Sequence, residues 1–169
     1  MVNFIYWCFI LVGMDNVVLL SRTDELVTLC ADFGFSKTLF LEDIALISGK
    51  TKKEILLAAR KCKGKKALVY KATTEDLLRF VLEKVPVDIV IGVERIHPKD
   101  SVHYVRGGLD QITCKIAAEK GKTIGFSFSE ILNCSNRGKL LGRMMLNISL
   151  CKKYNVQMLF SNFSLSKTE

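Results

Sequence analysis

The stretch of residues 105–132, VRGGLDQITCKIAAEKGKTIGFSFSEIL, constrains the fold more than any other part of the chain. Its first half repeats apolar residues at the spacing of one helical face and ends at Gly121, which predicts an amphipathic helix. Residues 123–128 are rich in β-branched and aromatic side chains and predict a strand. At the end of this strand, Ser127 and Ser129 offer N-caps for another helix. A nearly continuous apolar strand between two helices is typical of a parallel α/β sheet covered on both faces. The side chains predicted to pack inward are Leu109, Ile112, Ile116, Ala117, Ile124 and Phe126.

The same alternation of strand and helix signals extends over most of the chain. Strands are predicted at residues 17–21, 38–41, 67–70, 88–92, 123–128 and 156–161, and helices begin near residues 23, 51, 73, 109, 129 and 139. Short connections between these elements predict a (βα)n chain, which forms either a TIM-like barrel or a doubly wound sheet. Because six units do not close an eight-stranded barrel, we expect a single domain over residues 16–169 that is incomplete at its C-terminal end.

The last predicted helix, residues 139–154, carries both apolar and basic side chains. Its apolar positions recur at helical spacing, so one face is expected to be buried. The side chains predicted to point inward are Leu140, Leu141, Met144, Met145, Ile148 and Cys151.

The N-terminal residues 1–15 form a separate apolar extension. The run MVNFIYWCFILV has no Lys or Arg before it, so a signal peptide is weakly supported. Twelve residues are also fewer than the roughly 20 that span a bilayer. We expect either a buried strand or non-native sequence upstream of a start at Met14.

Basic charge is concentrated in two blocks. Residues 50–71 contain nine Lys or Arg and one acid, Glu54, and residues 131–168 contain six basic residues and no acid. This distribution predicts a polyanionic partner, nucleic acid before a membrane surface, although Lys-rich stretches are equally often solvated faces.

The six cysteines are scattered without a CxxC pair or a histidine at ligand spacing. Most of them fall on predicted apolar faces. They are therefore expected to be reduced core thiols of a cytosolic protein.

The longest irregular connection, residues 93–108, contains both histidines, His97 and His103. Loops of more than about 12 residues in compact α/β domains are usually functional. Either histidine could be a general base, but loop histidines more often donate hydrogen bonds or contact phosphate. Tyr104 could stack on an unpaired base or cover the end of a barrel.

Several catalytic motifs are missing from the sequence. There is no GxGxxG after a strand, and no GxxxxGK[ST], HExxH or GxSxG. The remaining enzymatic alternative is a metal-dependent phosphoesterase with a TIM-like barrel, using His97 and His103 with Glu94 or Asp100.

Three motifs in this order carry a family resemblance: RGGLDQ at the start of a helix, GFSFSEIL from strand to helix, and RMMLNISLCKKY in the last helix. With them the chain resembles archaeal ribonuclease P protein component 3, the homologue of the eukaryotic thirty-kilodalton subunit. The resemblance implies a TIM-barrel-like fold related to the polymerase and histidinol phosphatase barrel. Family members begin after residue 15 and continue past residue 161 with a further strand and helix.

The same resemblance implies a cytoplasmic, RNA-binding subunit of the ribonucleoprotein endonuclease that removes 5′ leaders from precursor tRNA. Catalysis and magnesium then belong to the RNA, so no catalytic residue, metal ligand or cofactor is expected in the protein. The implied partners are ribonuclease P RNA, the ferredoxin-like protein component 2 and, indirectly, precursor tRNA, but no membrane. The candidate RNA contacts are Arg95, Lys99, His103, Arg106, Lys115, Arg137, Lys139, Arg143, Lys152 and Lys153.

Overall fold

A computed structural model describes residues 15–62 and 64–164 of the chain. Strands and helices alternate along the described chain, with one short 3-10 helix at Val93–Arg95. The strands are β1 Asp15–Val17, β2 Lys37–Leu39, β3 Ile44–Ile47, β4 Ala67–Lys71, β5 Ile89–Ile91, β6 Thr123–Ser127 and β7 Gln157–Ser161. The helices are α1 Asp24–Asp32, α2 Lys52–Lys61, α3 Glu75–Lys84, α4 Gln111–Glu119, α5 Phe128–Leu132 and α6 Arg137–Tyr154.

All described strands pair in parallel, which confirms the predicted α/β class. β3 to β7 form one five-stranded sheet in chain order, and β1 and β2 form a second sheet of two strands. The turn between Phe40 and Asp43 separates β2 from β3, which lie in different sheets. Among the described strands there is therefore no single closed barrel.

The small sheet is joined to the other end of the large one. The N–H of Phe163, just after β7, donates to the carbonyl of Val17 (2.8 Å), and the N–H of Leu19 donates to the carbonyl of Ser164 (3.0 Å). The Ser161 hydroxyl also donates to the Asn16 side-chain oxygen (2.8 Å). The first and last described strands thus lie side by side although they are distant in sequence.

Helix starts follow the sequence closely because their caps are local. Thr23, Thr51 and Thr74 are the N-caps of α1, α2 and α3, and each accepts a hydrogen bond from the backbone N–H three residues later. Ser127 caps α5 in the same way, so the capping role predicted for it is confirmed.

β3 was absent from the predicted elements. Its sequence IALI is short, and only four residues separate it from β2. The apolar residues of this region were assigned to one strand over residues 38–41, so β3 was not predicted as a separate strand.

The core lies on both faces of the sheets. On the helix-facing side the largest fully buried side chains include Tyr70, Leu78 and Ile124. On the other side Val17 of the small sheet packs with Val69 of the large one, together with their neighbours. Burying a large apolar side chain contributes about 1.5–3 kcal/mol, so this second cluster holds the two sheets together.

The inward face of α6 differs from the prediction. Leu141 is 44% exposed and Met145 is 61% exposed, whereas the polar residues Arg143 and Asn147 are buried. The helix is rotated in this way because Arg143 and Asn147 form hydrogen bonds with the loop after β5. Ile112 of α4, also predicted inward, is 50% exposed.

The cysteines agree with the predicted core thiols where the structure describes them. The five described cysteines are free, and Cys30, Cys114 and Cys151 are buried. Cys62 and Cys134 are half-buried, and Cys8 lies outside the described residues. The apolar extension of residues 1–15 also lies outside them, apart from Asp15, at which β1 begins.

Within residues 15–62 and 64–164, none of the helices combines the length and apolar character needed to cross a bilayer.

Candidate nucleic-acid interface

The C-terminal ends of the parallel strands β3 to β7 lie along one edge of the large sheet, which we call the carboxyl edge. Lys71 ends β4 at this edge, the loop of residues 92–110 follows β5, and α5 follows β6. Ligands of parallel α/β proteins bind at this edge, because loops bring side chains from several strands together there. The carboxyl edge is therefore the first candidate for a binding surface.

Arg143 of α6 holds the loop of residues 92–110 against the helix. Its guanidinium donates to Asp100 Oδ1 through Nε (2.8 Å) and Nη2 (2.6 Å), and to the carbonyls of Glu94 (2.9 Å) and His97 (2.6 Å) through Nη1. The residue is only 5% exposed. A planar guanidinium with several fixed donors suits this arrangement, so Arg143 positions the loop from inside the protein.

Asp100 is the acceptor on which several donors converge. Besides Arg143 it accepts from the backbone N–H of Arg106 (3.1 Å) and forms an ion pair with Lys139 (3.2 Å). The N–H of Arg106, followed by the side chains of Arg143 and Lys139, lowers the pKa of Asp100 to about 2. The Asp100 carboxylate is thus fully engaged by groups of the protein and is charged at neutral pH.

The far end of the loop is fixed by Asn147. Its side-chain amide donates to the Gly107 carbonyl (2.7 Å), and its oxygen accepts from the N–H of Leu109 (3.4 Å). A Cβ on Gly107 would collide with the Asn147 amide, and one on Gly108 (φ +97°) would collide with the Val93 carbonyl. Glycine is therefore required at position 108 for the close approach to the 3-10 helix, and a side chain at position 107 would displace the Asn147 amide that fixes the loop to α6.

A second charged cluster at the carboxyl edge consists of Lys71, Arg95 and Glu130. The Glu130 carboxylate forms ion pairs with Lys71 (3.1 Å) and Arg95 (2.6 Å). Both cations are partly exposed, so each pair contributes little to stability. They remain accessible to an anionic partner.

Glu94 lies beside this cluster and is fully buried. Neither of its carboxylate oxygens has a hydrogen-bond partner among the described residues. Burial raises the pKa of Glu94 to about 7, and Glu130 acts in the same direction, whereas Arg95 and Lys71 act against them. Near neutral pH this carboxyl is therefore only partly ionised.

The two histidines lie in different surroundings. His97 pairs with Glu75 at the start of α3 (2.7 Å), and His103 is exposed in the loop. With Glu94 buried and Asp100 engaged by Arg143, the four residues of the metal-dependent alternative do not converge. No group of three or more His, Cys, Asp or Glu residues in the described chain is arranged to hold a metal ion.

Most of the candidate RNA contacts lie at one of two opposite edges of the large sheet, which α6 connects. Because α6 rises about 1.5 Å per residue, Lys152 lies roughly 22 Å along the helix from Arg137. Lys152 is therefore near the opposite edge of the sheet, where β7 begins. Lys115 is exposed on α4, Lys139 is half-buried, and Arg143 is buried. The exposed candidates at or near the carboxyl edge are Arg95, Lys99, His103, Arg106 and Arg137; those at the opposite edge are Lys152 and Lys153.

Sequence reasoning missed Lys71, Glu130 and Asn147 as members of this surface. Lys71 and Glu130 are 59 residues apart, so no local pattern links them. Asn147 could have been placed on the inward side of the helix, because it shares the helical face of Leu140 and Met144.

Comparisons with known proteins identify similar folds but no family. No protein-family model matches the sequence, and no curated protein matches it. One solved structure, "cryo-EM structure of archaeal Ribonuclease P with mature tRNA", contains a chain similar to this one with a TM-score of 0.65 and 19% identity. The similarity covers 95% of this chain and 69% of that one. This shows a shared parallel α/β fold.

Two further solved structures are less similar to this chain. An amidohydrolase aligns with a TM-score of 0.47 and 16% identity, over 85% of this chain and 37% of its own. An uncharacterised protein aligns with a TM-score of 0.45 and 11% identity, over 68% of this chain and 28% of its own.

Proposed function

We propose that this chain is a protein subunit of ribonuclease P that binds the catalytic RNA and supports removal of 5′ leaders from precursor tRNA. The observation that carries the proposal is its fold, which is similar over 95% of the chain to a chain in an archaeal ribonuclease P complex with tRNA. The basic residues exposed at the carboxyl edge support it further, because they can contact phosphates.

The finer identity also belongs to this proposal. The motifs RGGLDQ, GFSFSEIL and RMMLNISLCKKY favour protein component 3 over other subunits, with a TIM-barrel-like fold. The ferredoxin-like component 2 is the proposed protein partner, and the cytoplasm is the proposed compartment. Magnesium would act through the RNA rather than through this chain.

Burial decides which basic residues are proposed to contact RNA. Arg143 is left out because its guanidinium is inside the protein and its donors are used within the fold. Lys139 is half-buried and paired with Asp100, so we expect it to contribute to RNA binding through its positive charge and not through a direct phosphate contact. The residues proposed to contact phosphates directly are Arg95, Lys99, His103, Arg106 and Arg137, with Lys115, Lys152 and Lys153 as a second group.

Binding to ribonuclease P RNA is expected to weaken steeply with salt, with a log-log slope of about −0.7 to −0.9 per phosphate neutralised. The double variant Lys99→Gln/Arg106→Gln removes two exposed cations of the carboxyl edge. It should make the slope less negative by about 1.4 to 1.8. Filter binding over a salt series measures this change.

Two matched double variants serve as controls for that measurement. Lys84→Gln/Lys120→Gln removes the same charge from exposed positions outside the candidate set, so it should leave the slope nearly unchanged. Lys152→Gln/Lys153→Gln tests the opposite edge separately. If Lys99→Gln/Arg106→Gln behaves like Lys84→Gln/Lys120→Gln, the carboxyl edge does not contact the RNA.

Reconstitution tests the function itself. The purified chain, component 2 and ribonuclease P RNA are combined at low magnesium, and cleavage of precursor tRNA is followed. Omitting this chain should lower the cleavage rate. An unchanged rate would refute the assignment as a subunit.

A further inference from the structure

The tip of the loop after β5, residues 101–106, exposes apolar and aromatic side chains to solvent. Val102 is 95% exposed, Tyr104 is 60% exposed, and Val105 is 48% exposed. Three neighbouring apolar side chains that point away from the core are not explained by packing within the described chain. Tyr104 therefore does not cover the end of the sheet and is available to a partner.

The loop tip is held at both ends, although its side chains are exposed. Asp100 precedes it and is fixed by Arg143, while Gly107 follows it and is fixed by Asn147. Within the tip, the N–H of Ser101 donates to the Tyr104 carbonyl (3.1 Å). A loop that is fixed in this way loses little conformational entropy when it binds, so the exposed ring is preorganised.

A cation lies against the exposed ring. The Arg106 guanidinium is 5.7 Å from the centroid of the Tyr104 ring, within the range of a cation–π contact, and Arg106 Nη2 is 3.5 Å from the Tyr104 hydroxyl. Residues 101–109, SVHYVRGGL, contain no acid. The nearest carboxylate in the sequence, Asp100, is used by Arg143, Lys139 and the Arg106 N–H.

An exposed aromatic ring with an adjacent guanidinium and no free carboxylate is the combination that unpaired nucleotides bind. The base stacks on the ring, and the cation neutralises its phosphate. A protein partner would require a larger apolar area than three side chains provide, since a typical interface buries about 800 Å² per partner. Double-stranded RNA has its bases stacked internally and offers no face to Tyr104.

We propose that residues 101–106 form a stacking platform for an unpaired nucleotide of an RNA, with the base on Tyr104 and the phosphate beside Arg106. The proposal rests on the proposed RNA-binding function and specifies the part of the RNA that this loop recognises, a single-stranded nucleotide rather than a helix.

Fluorescence of 2-aminopurine tests the platform directly, because stacking quenches it. The probes are a single-stranded oligouridylate RNA with one central 2-aminopurine, whose uridine neighbours stack weakly, and its blunt duplex with an oligoadenylate that carries one central uridine. The full chain should bind and quench the single strand, and should bind the duplex with no further quenching. Tyr104→Phe should retain binding because stacking uses the ring, whereas Tyr104→Leu should weaken single-strand binding about tenfold and abolish the quenching.

Salt dependence separates stacking from charge. Tyr104→Leu should leave the log-log salt slope unchanged, while Arg106→Gln should make it less negative by about 0.7. Because Tyr104 is exposed, the unfolding midpoint of Tyr104→Leu should match that of the wild type, which excludes misfolding as the cause.

Each outcome decides the proposal. Wild-type affinity and quenching in Tyr104→Leu would overturn it while leaving the ribonuclease P assignment to the reconstitution assay. Unchanged RNA binding with weakened binding of component 2 would identify the tip as a protein contact and also overturn it. If the wild-type chain binds no RNA and does not stimulate cleavage, the proposed function fails together with the platform.

Discussion

Replacing Arg143 by alanine is expected to lower the free energy of unfolding by about 3–5 kcal/mol, the usual cost of breaking a buried ion pair. The substitution removes hydrogen bonds to Asp100 and to the carbonyls of Glu94 and His97 in one step. It also leaves a cavity in the face of α6. Urea denaturation at neutral pH measures the change.

A lysine at position 143 separates charge from geometry. Arg143→Lys keeps one positive charge but cannot reach Asp100 and both carbonyls with a planar fork, so we expect it to recover less than half of the loss. Arg137→Ala is the matched control, because Arg137 is exposed on the same helix and donates one hydrogen bond, to Leu132. Its effect should stay within about 0.5 kcal/mol.

Limited proteolysis shows whether the loop of residues 92–110 is the part that is destabilised in Arg143→Ala. Trypsin cleaves after Lys99 and Arg106, and both bonds should be cut faster in Arg143→Ala than in Arg137→Ala, because the loop opens locally without its anchor. Equal stability of Arg143→Ala and the wild type, with equal cleavage, would mean that α6 does not hold the loop.

The sequence predicted the elements whose signals are local. Thr51 caps α2 and Ser127 caps α5 through contacts three residues away, so the pattern of residues contains the whole interaction. The loop after β5 was also predicted as a functional segment, because its length and lack of periodicity are visible without a structure. The contacts of this loop with α6 could not be predicted from the sequence.

The role of Arg143 could not be predicted from its charge. A basic residue on a helix usually faces solvent, and the stretch from Leu140 to Met145 has enough apolar residues for two different inward faces. The choice between them depends on Asp100, which lies 43 residues away and becomes a partner only when the loop folds back. Leu141 and Met145 were therefore assigned to the core, and instead line an apolar groove with Phe160.

The cluster of Lys71, Arg95 and Glu130 was unpredictable for the same reason. Lys71 ends β4, Arg95 lies in the 3-10 helix after β5, and Glu130 lies in α5 after β6. Only the pairing of β4, β5 and β6 brings them to one edge. The order of strands in a sheet is set by long-range packing rather than by local propensity. Sequence reasoning reached the correct class of fold, but not the contacts between loops.

Replacing Glu94 by glutamine is expected to change how stability depends on pH. Burial raises the pKa of Glu94 to about 7 in the folded protein, from an ordinary value of 4.5 in the unfolded chain. The protonated carboxyl therefore favours folding below pH 4.5, and this contribution is lost as pH rises through about 7. At about 1.4 kcal/mol per pKa unit, the wild type should lose about 2.5 kcal/mol from this group between pH 5 and pH 8, because part of the contribution is already lost at pH 5.

The variant Glu94→Gln has no ionisable group at this position, so its stability should lack that loss. The difference between variant and wild type at pH 5 gives the cost of exchanging the side chain, and its change up to pH 8 isolates ionisation. Glu94→Met is the matched second variant: its offset at pH 5 should differ because it is apolar, but its change with pH should be the same. Urea denaturation at pH 5, 6, 7 and 8 provides both quantities. A difference that stays constant over this range would show that the carboxylate is already ionised at pH 5, which requires water or a cation to reach it beside Lys71 and Arg95.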